Sequence, residues 1–126
     1  MREPEYEGPL YFNPQQLAHR SDAVVWNGVA YVSGATPIDG SIDIGEQTRQ
    51  VLAQIDHRLH AAGTDKTKLL FAMVWLVDVN RDVVAFNAAW SDWLASGSKP
   101  ARACVQAALQ GSGAVEVAVL AAVTDC

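Results

Sequence analysis

Two short runs of β-branched and aromatic residues lie between residues 22 and 34, in the stretch DAVVWNGVAYVSG. Asn27 and Gly28 separate them, and Asn-Gly favours a type I′ turn because both central residues of that turn need a positive φ. The pattern therefore predicts a tight β-hairpin. Residues 1–20, which hold three of the five prolines, are predicted to be an irregular lead-in to this hairpin.

A first amphipathic helix is predicted after the hairpin. Asp43 is placed to cap its N-terminus, with Glu46 three residues later as a capping-box partner. Gly63 stands where a left-handed residue commonly ends a helix. The face directed at the core should consist of Ile44, Thr48, Val51, Leu52, Ile55 and Leu59, which recur at helical spacing.

A second helix is predicted to begin near Asp78 or Asn80 and to end near Gly97. Asn87 falls within its apolar stripe, and because a buried amide must be satisfied we expect it to fasten the helix to nearby main chain rather than to contact a ligand. The stripe itself is formed by Val83, Phe86, Trp90, Trp93 and Leu94.

Three further strands complete the predicted fold. The run LLFAMVWLV (69–77) is apolar at every position, as in a central strand covered on both faces. The last two strands, ARACVQAAL and AVEVAVLAAV, flank a polar, glycine-rich loop. The order ββαβαββ predicts one α+β domain over residues 1–126, with a single mixed sheet and two helices on one face.

Alternation along the last strand assigns its side chains to two faces. One face, expected to lie under the helices, carries Val115, Val117, Val119 and Val123. The other carries Glu116, Ala118, Leu120 and Ala122. In the preceding strand Arg102, Cys104 and Gln106 share a face. Because two helices cover only one side of a sheet, the apolar second side predicts an oligomer whose interface includes the face bearing Arg102 and Glu116.

Composition narrows the class of protein. The net charge of −5 and the pI of about 4.9 argue against non-specific binding to nucleic acid or to anionic membranes, which both require basic surface. The two cysteines, Cys104 and Cys126, form no CxxC motif and predict reduced thiols. With no signal-peptide pattern at the N-terminus, a cytoplasmic protein is expected.

Arg102 is the most informative single residue, because arginine is rarely buried without an anionic partner. It could be the structural ion-pair partner of Glu116, or it could bind a ligand carboxylate through its rigid guanidinium fork. Glu116 could likewise be structural or could hold a water and transfer protons. Cys104 is expected to be a small apolar residue rather than a nucleophile. No metal site is expected, because no third ligand accompanies the histidine pair His57 and His60.

Five segments resemble, in order and spacing, the RidA/YjgF family of reactive enamine/imine deaminases, and most of all its YoaB-like branch. They are YVSGATPID, EQTRQVLAQIDHRLHAAGTDKTKLL, AFNAAWSDWL, KPARACVQAAL and VEVAVLAAV. The resemblance implies a chorismate-mutase-like fold and a homotrimer with ligand clefts between subunits. It also implies that Arg102 binds the substrate carboxylate and Glu116 holds the attacking water, while Gly34, Asn87 and Cys104 line the cleft.

The implied activity is that of a 2-iminobutanoate/2-iminopropanoate deaminase-like hydrolase, which needs no cofactor. Deaminases of the family carry a GPY-x-Q-like segment before the first strand, and this chain has LAHRSDAVV there, without a tyrosine. The alternative is a non-catalytic protein of the same family that binds small carboxylates or acts as a trimeric interaction protein. An endoribonuclease is disfavoured by the acidic pI and by the absence of basic clustering around a histidine pair.

Overall fold

One six-stranded sheet forms the centre of the computed structural model, which describes residues 7–95 and 97–124. The strands lie in the order β1-β2-β3-β6-β4-β5, and only the β4–β5 pair is parallel. The elements are β1 (Leu10–Phe12), β2 (Ala23–Trp26), β3 (Val29–Ala35), α1 (Ile44–Ala61), β4 (Leu69–Leu76), α2 (Val79–Leu94), β5 (Ala101–Gln106) and β6 (Val115–Ala122), with a 3₁₀ turn at Lys66–Lys68. No helix among the described residues is long and apolar enough to cross a membrane.

The β2–β3 hairpin confirms the turn prediction. Asn27 and Gly28 have φ values of 50° and 76°, and Trp26 pairs with Val29 across the turn. The lead-in, by contrast, is not wholly irregular. Leu10–Phe12 forms β1 and pairs antiparallel with β2 at the sheet edge. A three-residue strand is too short to produce a periodic signal, and only its pairing with β2 defines it.

The caps of α1 and α2 form where the sequence predicts them. The Asp43 carboxylate accepts a hydrogen bond from the Glu46 N–H, and Asp78 accepts one from the Arg81 N–H. Gly63 follows α1 with a φ of 85°. In place of a reciprocal capping-box bond, the Glu46 side chain accepts a hydrogen bond from Nε of Arg49 at 2.9 Å.

The core lies between the helices and one face of the sheet. The predicted floor of β6 is confirmed, since Val115, Val117 and Val119 are buried and Val123 packs against them. On α1 the predicted face is buried except for Ile44, which is partly exposed. The buried side chains that interlock here are Val51, Leu52, Ile55, Leu59, Val74, Leu76 and Phe86.

The placement of Asn87 in the buried stripe of α2 is wrong. Asn87 is exposed, and within residues 7–95 and 97–124 its side chain forms no hydrogen bond to main chain. The polar residue that α2 does bury is Asp82, which is 5% exposed and accepts hydrogen bonds from Arg81. Asp82 precedes Phe86 by four residues, so both lie on the same side of the helix.

Candidate functional site

Arg102 and Glu116 lie on opposite faces of the sheet, which contradicts the predicted shared face. Arg102 pairs in register with Ala72 of β4, which in turn pairs with Val119 of β6. Ala72 and Val119 are both buried under the helices. Glu116 is level with Trp75 and alternates with the buried valines of β6. Gln106 lies four residues after Arg102 and therefore on the same face of β5. Its side chain accepts a hydrogen bond from the Val79 N–H at the start of α2. The helix side of β5 is therefore the Arg102 side.

The physical reason is the position of β5 at the sheet edge. The side chains on each of the two faces of β5 include small residues, so hydrophobicity does not decide which face turns toward the helices. The parallel register with β4 decides it, and this register is a tertiary feature.

The guanidinium of Arg102 lies over two aromatic rings of α2. Its Cζ is 5.6 Å from the ring centre of Phe86 and 5.7 Å from that of Trp90, within the range of a cation–π contact. It borders a pocket of about 230 Å³, together with Leu94 and Lys99, which we call the Arg102 pocket. Within the described residues no carboxylate lies within 4.0 Å of Arg102, so an ion pair with Glu116 of the same chain is excluded.

Cys104 follows Arg102 on the same face of β5. It is a free cysteine, partly exposed, and it packs against the core, as expected of a small apolar residue. Two basic groups, Lys99 and Arg102, thus border the Arg102 pocket above an aromatic floor. Such a pocket suits a small carboxylate, because a guanidinium fork can donate two parallel hydrogen bonds to it.

Glu116 and Gly34 come together on the opposite face of the sheet. A Cβ built on Gly34 would lie 2.1 Å from Oε2 of Glu116, so only glycine leaves room for the carboxylate as it stands. The two residues line a cavity of about 380 Å³ with His19, Arg20, Thr36 and Gln110, which we call the Glu116 cavity. Most of its lining is polar, in contrast to the core beneath it.

Arg58, which sequence reasoning missed, fixes the backbone of this cavity. It is 9% exposed and its Nη1 donates hydrogen bonds to the carbonyl oxygens of Ser33 at 2.9 Å and Gly34 at 3.4 Å. The pairing of β3 with β6 shifts register at this place, which frees those carbonyls from the ladder. A signal was available, since Arg58 interrupts the apolar positions of α1 between Ile55 and Leu59.

Two guanidinium groups share the carboxylate of Asp22 behind the cavity. Nη1 of Arg20 lies 2.6 Å from Oδ1 of Asp22, and Nε of Arg58 lies 3.8 Å from the same oxygen. Burial lowers the pKa of Arg58, the nearby Arg20 charge lowers it further, and Asp22 opposes both effects. Asp22 is thus the shared carboxylate of two cations, Arg20 and Arg58.

The same face of the sheet continues into an apolar hollow of about 380 Å³. Its lining includes Tyr31, Phe71, Met73, Ala118 and Leu120. Tyr31 is 46% exposed in the single chain. This is the uncovered second face that the sequence predicts, although it carries Glu116 and not Arg102.

Comparison with known proteins places the chain in a family. The family described as Endoribonuclease L-PSP matches residues 12–123. The RutC family protein YoaB of Escherichia coli K12 is 40% identical over 107 residues, which is 84% of this chain and 92% of that protein. The chain belongs to the RidA/YjgF family. Its resemblance is to the YoaB-like branch, as the sequence segments predict.

Solved structures of the family agree with the fold. A YjgF family member from Neisseria meningitidis superposes with a TM-score of 0.87 at 37% identity, covering 97% of this chain and all of that one. The RidA/YjgF fold, a chorismate-mutase-like α+β sheet with two helices, is thereby confirmed for this chain. A further relative, from goat, is named 2-iminobutanoate/2-iminopropanoate deaminase and is 36% identical over 115 residues, 86% of this chain and 82% of its own.

Proposed function

We propose that the protein hydrolyses reactive 2-imino acids and their enamine tautomers to 2-keto acids and ammonia, in a cleft formed by two subunits of a homotrimer. The observation that carries this proposal is the separation of Arg102 and Glu116 on opposite sheet faces, each beside its own cavity. Within one chain they cannot act on the same small molecule. Across a subunit boundary, the Arg102 pocket of one chain can face the Glu116 cavity of the next.

The apolar hollow supports the assembly. A sheet face with Tyr31, Phe71, Met73 and Leu120 open to water is a large apolar patch for a chain of this size. Burying it against copies of itself removes this surface from water and brings the two cavities to a common seam. The trimeric state is what the family resemblance implies, and the apolar face supports association as its physical reason.

In the proposed reaction Arg102 binds the substrate carboxylate and fixes the position of the imine carbon. Its guanidinium lies over the Phe86 and Trp90 rings, which support it from α2. Glu116 orients a water and accepts its proton as the water oxygen bonds to the imine carbon. That proton passes to the imine nitrogen, which gives a tetrahedral amino alcohol. Glu116 then transfers the hydroxyl proton to the nitrogen as the C–N bond breaks, so that ammonia leaves and the carbonyl forms.

Glu116→Gln tests this role, because it preserves shape and removes the base. With 2-iminobutanoate generated in situ by an amino-acid oxidase, we expect the rate of ammonia release to fall roughly 10²-fold or more, as for loss of a general acid/base. Binding of 2-ketobutanoate should change little. Glu46→Gln is the matched control, since Glu46 is exposed and pairs with Arg49 on α1. An unchanged rate in Glu116→Gln assigns Glu116 a structural role.

A second candidate function is carboxylate binding without catalysis. It is favoured by the segment LAHRSDAVV, which has no tyrosine where deaminases of the family have one. Calorimetry that detects 2-keto acid binding at Arg102, together with ammonia release no faster than in buffer, selects this candidate. Ribonuclease activity is not proposed, because the net charge of −5 disfavours attraction of a polyanion.

A further inference from the structure

The lining of the Glu116 cavity indicates which side chain the substrate carries. Around Glu116 stand His19, Arg20, Thr36 and Gln110, all able to form hydrogen bonds. With the substrate's first carboxylate at Arg102 and its imine carbon near Glu116, the substituent on the imine carbon is the part left to contact these groups. This placement of the substrate rests on the proposed function.

An aliphatic substituent fits this lining poorly. It would displace water from Arg20, Thr36 and Gln110 and replace none of their hydrogen bonds, which is costly for polar groups and most costly for a charge. Sites built from hydrogen-bonding groups reject analogues that lack the matching polar atoms more strongly than apolar pockets reject a missing methylene. The substituent should therefore carry hydrogen-bond acceptors.

The charge of Arg20 further limits which substituent the cavity can accept. Arg20 is the cation that reaches the cavity wall, and its side chain is 32% exposed in the single chain. Asp22 does not neutralise it fully, because Asp22 also lies 3.8 Å from Nε of Arg58. One hydrogen bond to Asp22 uses one of the five N–H donors of the Arg20 guanidinium. His19, which also lines the cavity, offers a further hydrogen-bonding side chain.

We propose that the Glu116 cavity selects 2-imino acids whose side chain ends in a second carboxylate, with Arg20 as the residue that determines this specificity. Glu116 is an anion in the same cavity, so the second carboxylate is held on the wall formed by His19 and Arg20. The substrate is then bound by guanidinium groups at both ends, Arg102 from one subunit and Arg20 from the other. The products are ammonia and a dicarboxylic 2-keto acid.

The test compares two substrates of similar length, the imino acids formed by oxidases from glutamate and from norleucine. We expect the wild-type protein to favour the glutamate-derived imino acid at least tenfold in kcat/KM. Arg20→Gln should lose roughly tenfold to 100-fold on that substrate, the usual worth of a hydrogen bond to a charged group, and stay within about threefold on the other. Asp22 keeps Arg58 as a partner in this variant, so folding should survive.

Arg49→Gln is the matched control, because it removes the same charge from an exposed position of α1 and should alter neither substrate. Equal or better hydrolysis of the norleucine-derived imino acid by wild-type protein overturns the proposal, as does an equal loss on both substrates in Arg20→Gln. The wild-type comparison decides the matter even where a variant fails to fold.

Calorimetry with the stable keto acids separates this proposal from the proposed activity. If neither imino acid is hydrolysed faster than in buffer, the proposed deaminase activity is wrong. The specificity site is still supported if 2-ketoglutarate binds tenfold more tightly than 2-ketohexanoate and Arg20→Gln removes this difference. Equal binding of the two keto acids, or binding of neither, overturns it.

Discussion

Gly34→Ala should displace the Glu116 carboxylate while leaving the fold intact. The added Cβ would stand 2.1 Å from Oε2, 3.0 Å from Cδ and 3.2 Å from Cγ of Glu116. Non-bonded carbon and oxygen atoms do not approach closer than about 3.0 Å, so Oε2 must move by roughly 0.9 Å. All three contacts are with the outer part of a flexible side chain, which can rotate away.

The stability of this variant should therefore be close to that of the wild type. Gly34 does not have the positive φ that disfavours alanine, unlike Gly63 with a φ of 85°. Replacing glycine by alanine at a compatible backbone lowers the entropy of the unfolded chain and stabilises by about 0.4–1 kcal/mol. This gain offsets the cost of turning Glu116 to another rotamer, which is of order 0.5–1.5 kcal/mol.

The rate of ammonia release by Gly34→Ala, unlike its stability, should change strongly. A misplacement of about 1 Å in a reacting group can reduce the rate by ~10²-fold, so we expect a loss of that order in ammonia release from 2-iminobutanoate. Gly63→Ala is the converse control. It should lower the free energy of unfolding by about 1–2 kcal/mol through left-handed strain and leave the rate per folded molecule unchanged. A fully active, folded Gly34→Ala protein would refute the assignment of Glu116 to the water.

Three further outcomes are expected. Arg102→Ala should stay folded and lose 2-keto acid binding in calorimetry, and Arg102→Lys should rescue little because an ammonium cannot reproduce the bidentate fork; retained binding in either contradicts the receptor role. Light scattering at micromolar concentration should give three times the 13.5 kDa chain mass, and a monomer mass contradicts the two-chain cleft. Arg58→Met should lower the free energy of unfolding in urea by roughly 1–3 kcal/mol, because it removes the donor to the carbonyls of Ser33 and Gly34; an unchanged urea midpoint contradicts that role.

The elements of this fold could be predicted because each carries a local physical signal. Asn27-Gly28 requires the left-handed backbone of a tight turn, Asp43 caps α1 with its own side chain, and the valines of β6 alternate. Helix boundaries and the core face depend on interactions within a few residues, so one sequence is enough to indicate them. The strand β1 has no such signal and forms only because β2 offers it a free edge.

The candidate site was predicted in part. Gly34 and Glu116, which the family resemblance places in one cleft, line one cavity, while Asn87 is exposed and Arg102 faces the helices. The spacing of Arg102, Cys104 and Gln106 correctly gives their common face but cannot say which layer that face meets. The answer lies in the β4–β5 register, which joins residues about thirty positions apart and has no local signature.

The position of Arg102 and Glu116 on opposite faces of the sheet favours an intermolecular site. Had Arg102 and Glu116 shared a face, one chain could have paired them as a structural salt bridge, and no assembly would have been needed to explain either residue. On opposite faces, Arg102 stands over the rings of α2 beside an open pocket, and Glu116 stands against Gly34 in a polar cavity. Because neither neutralises the other within the chain, we propose that both act on one ligand where a second subunit brings the two cavities together.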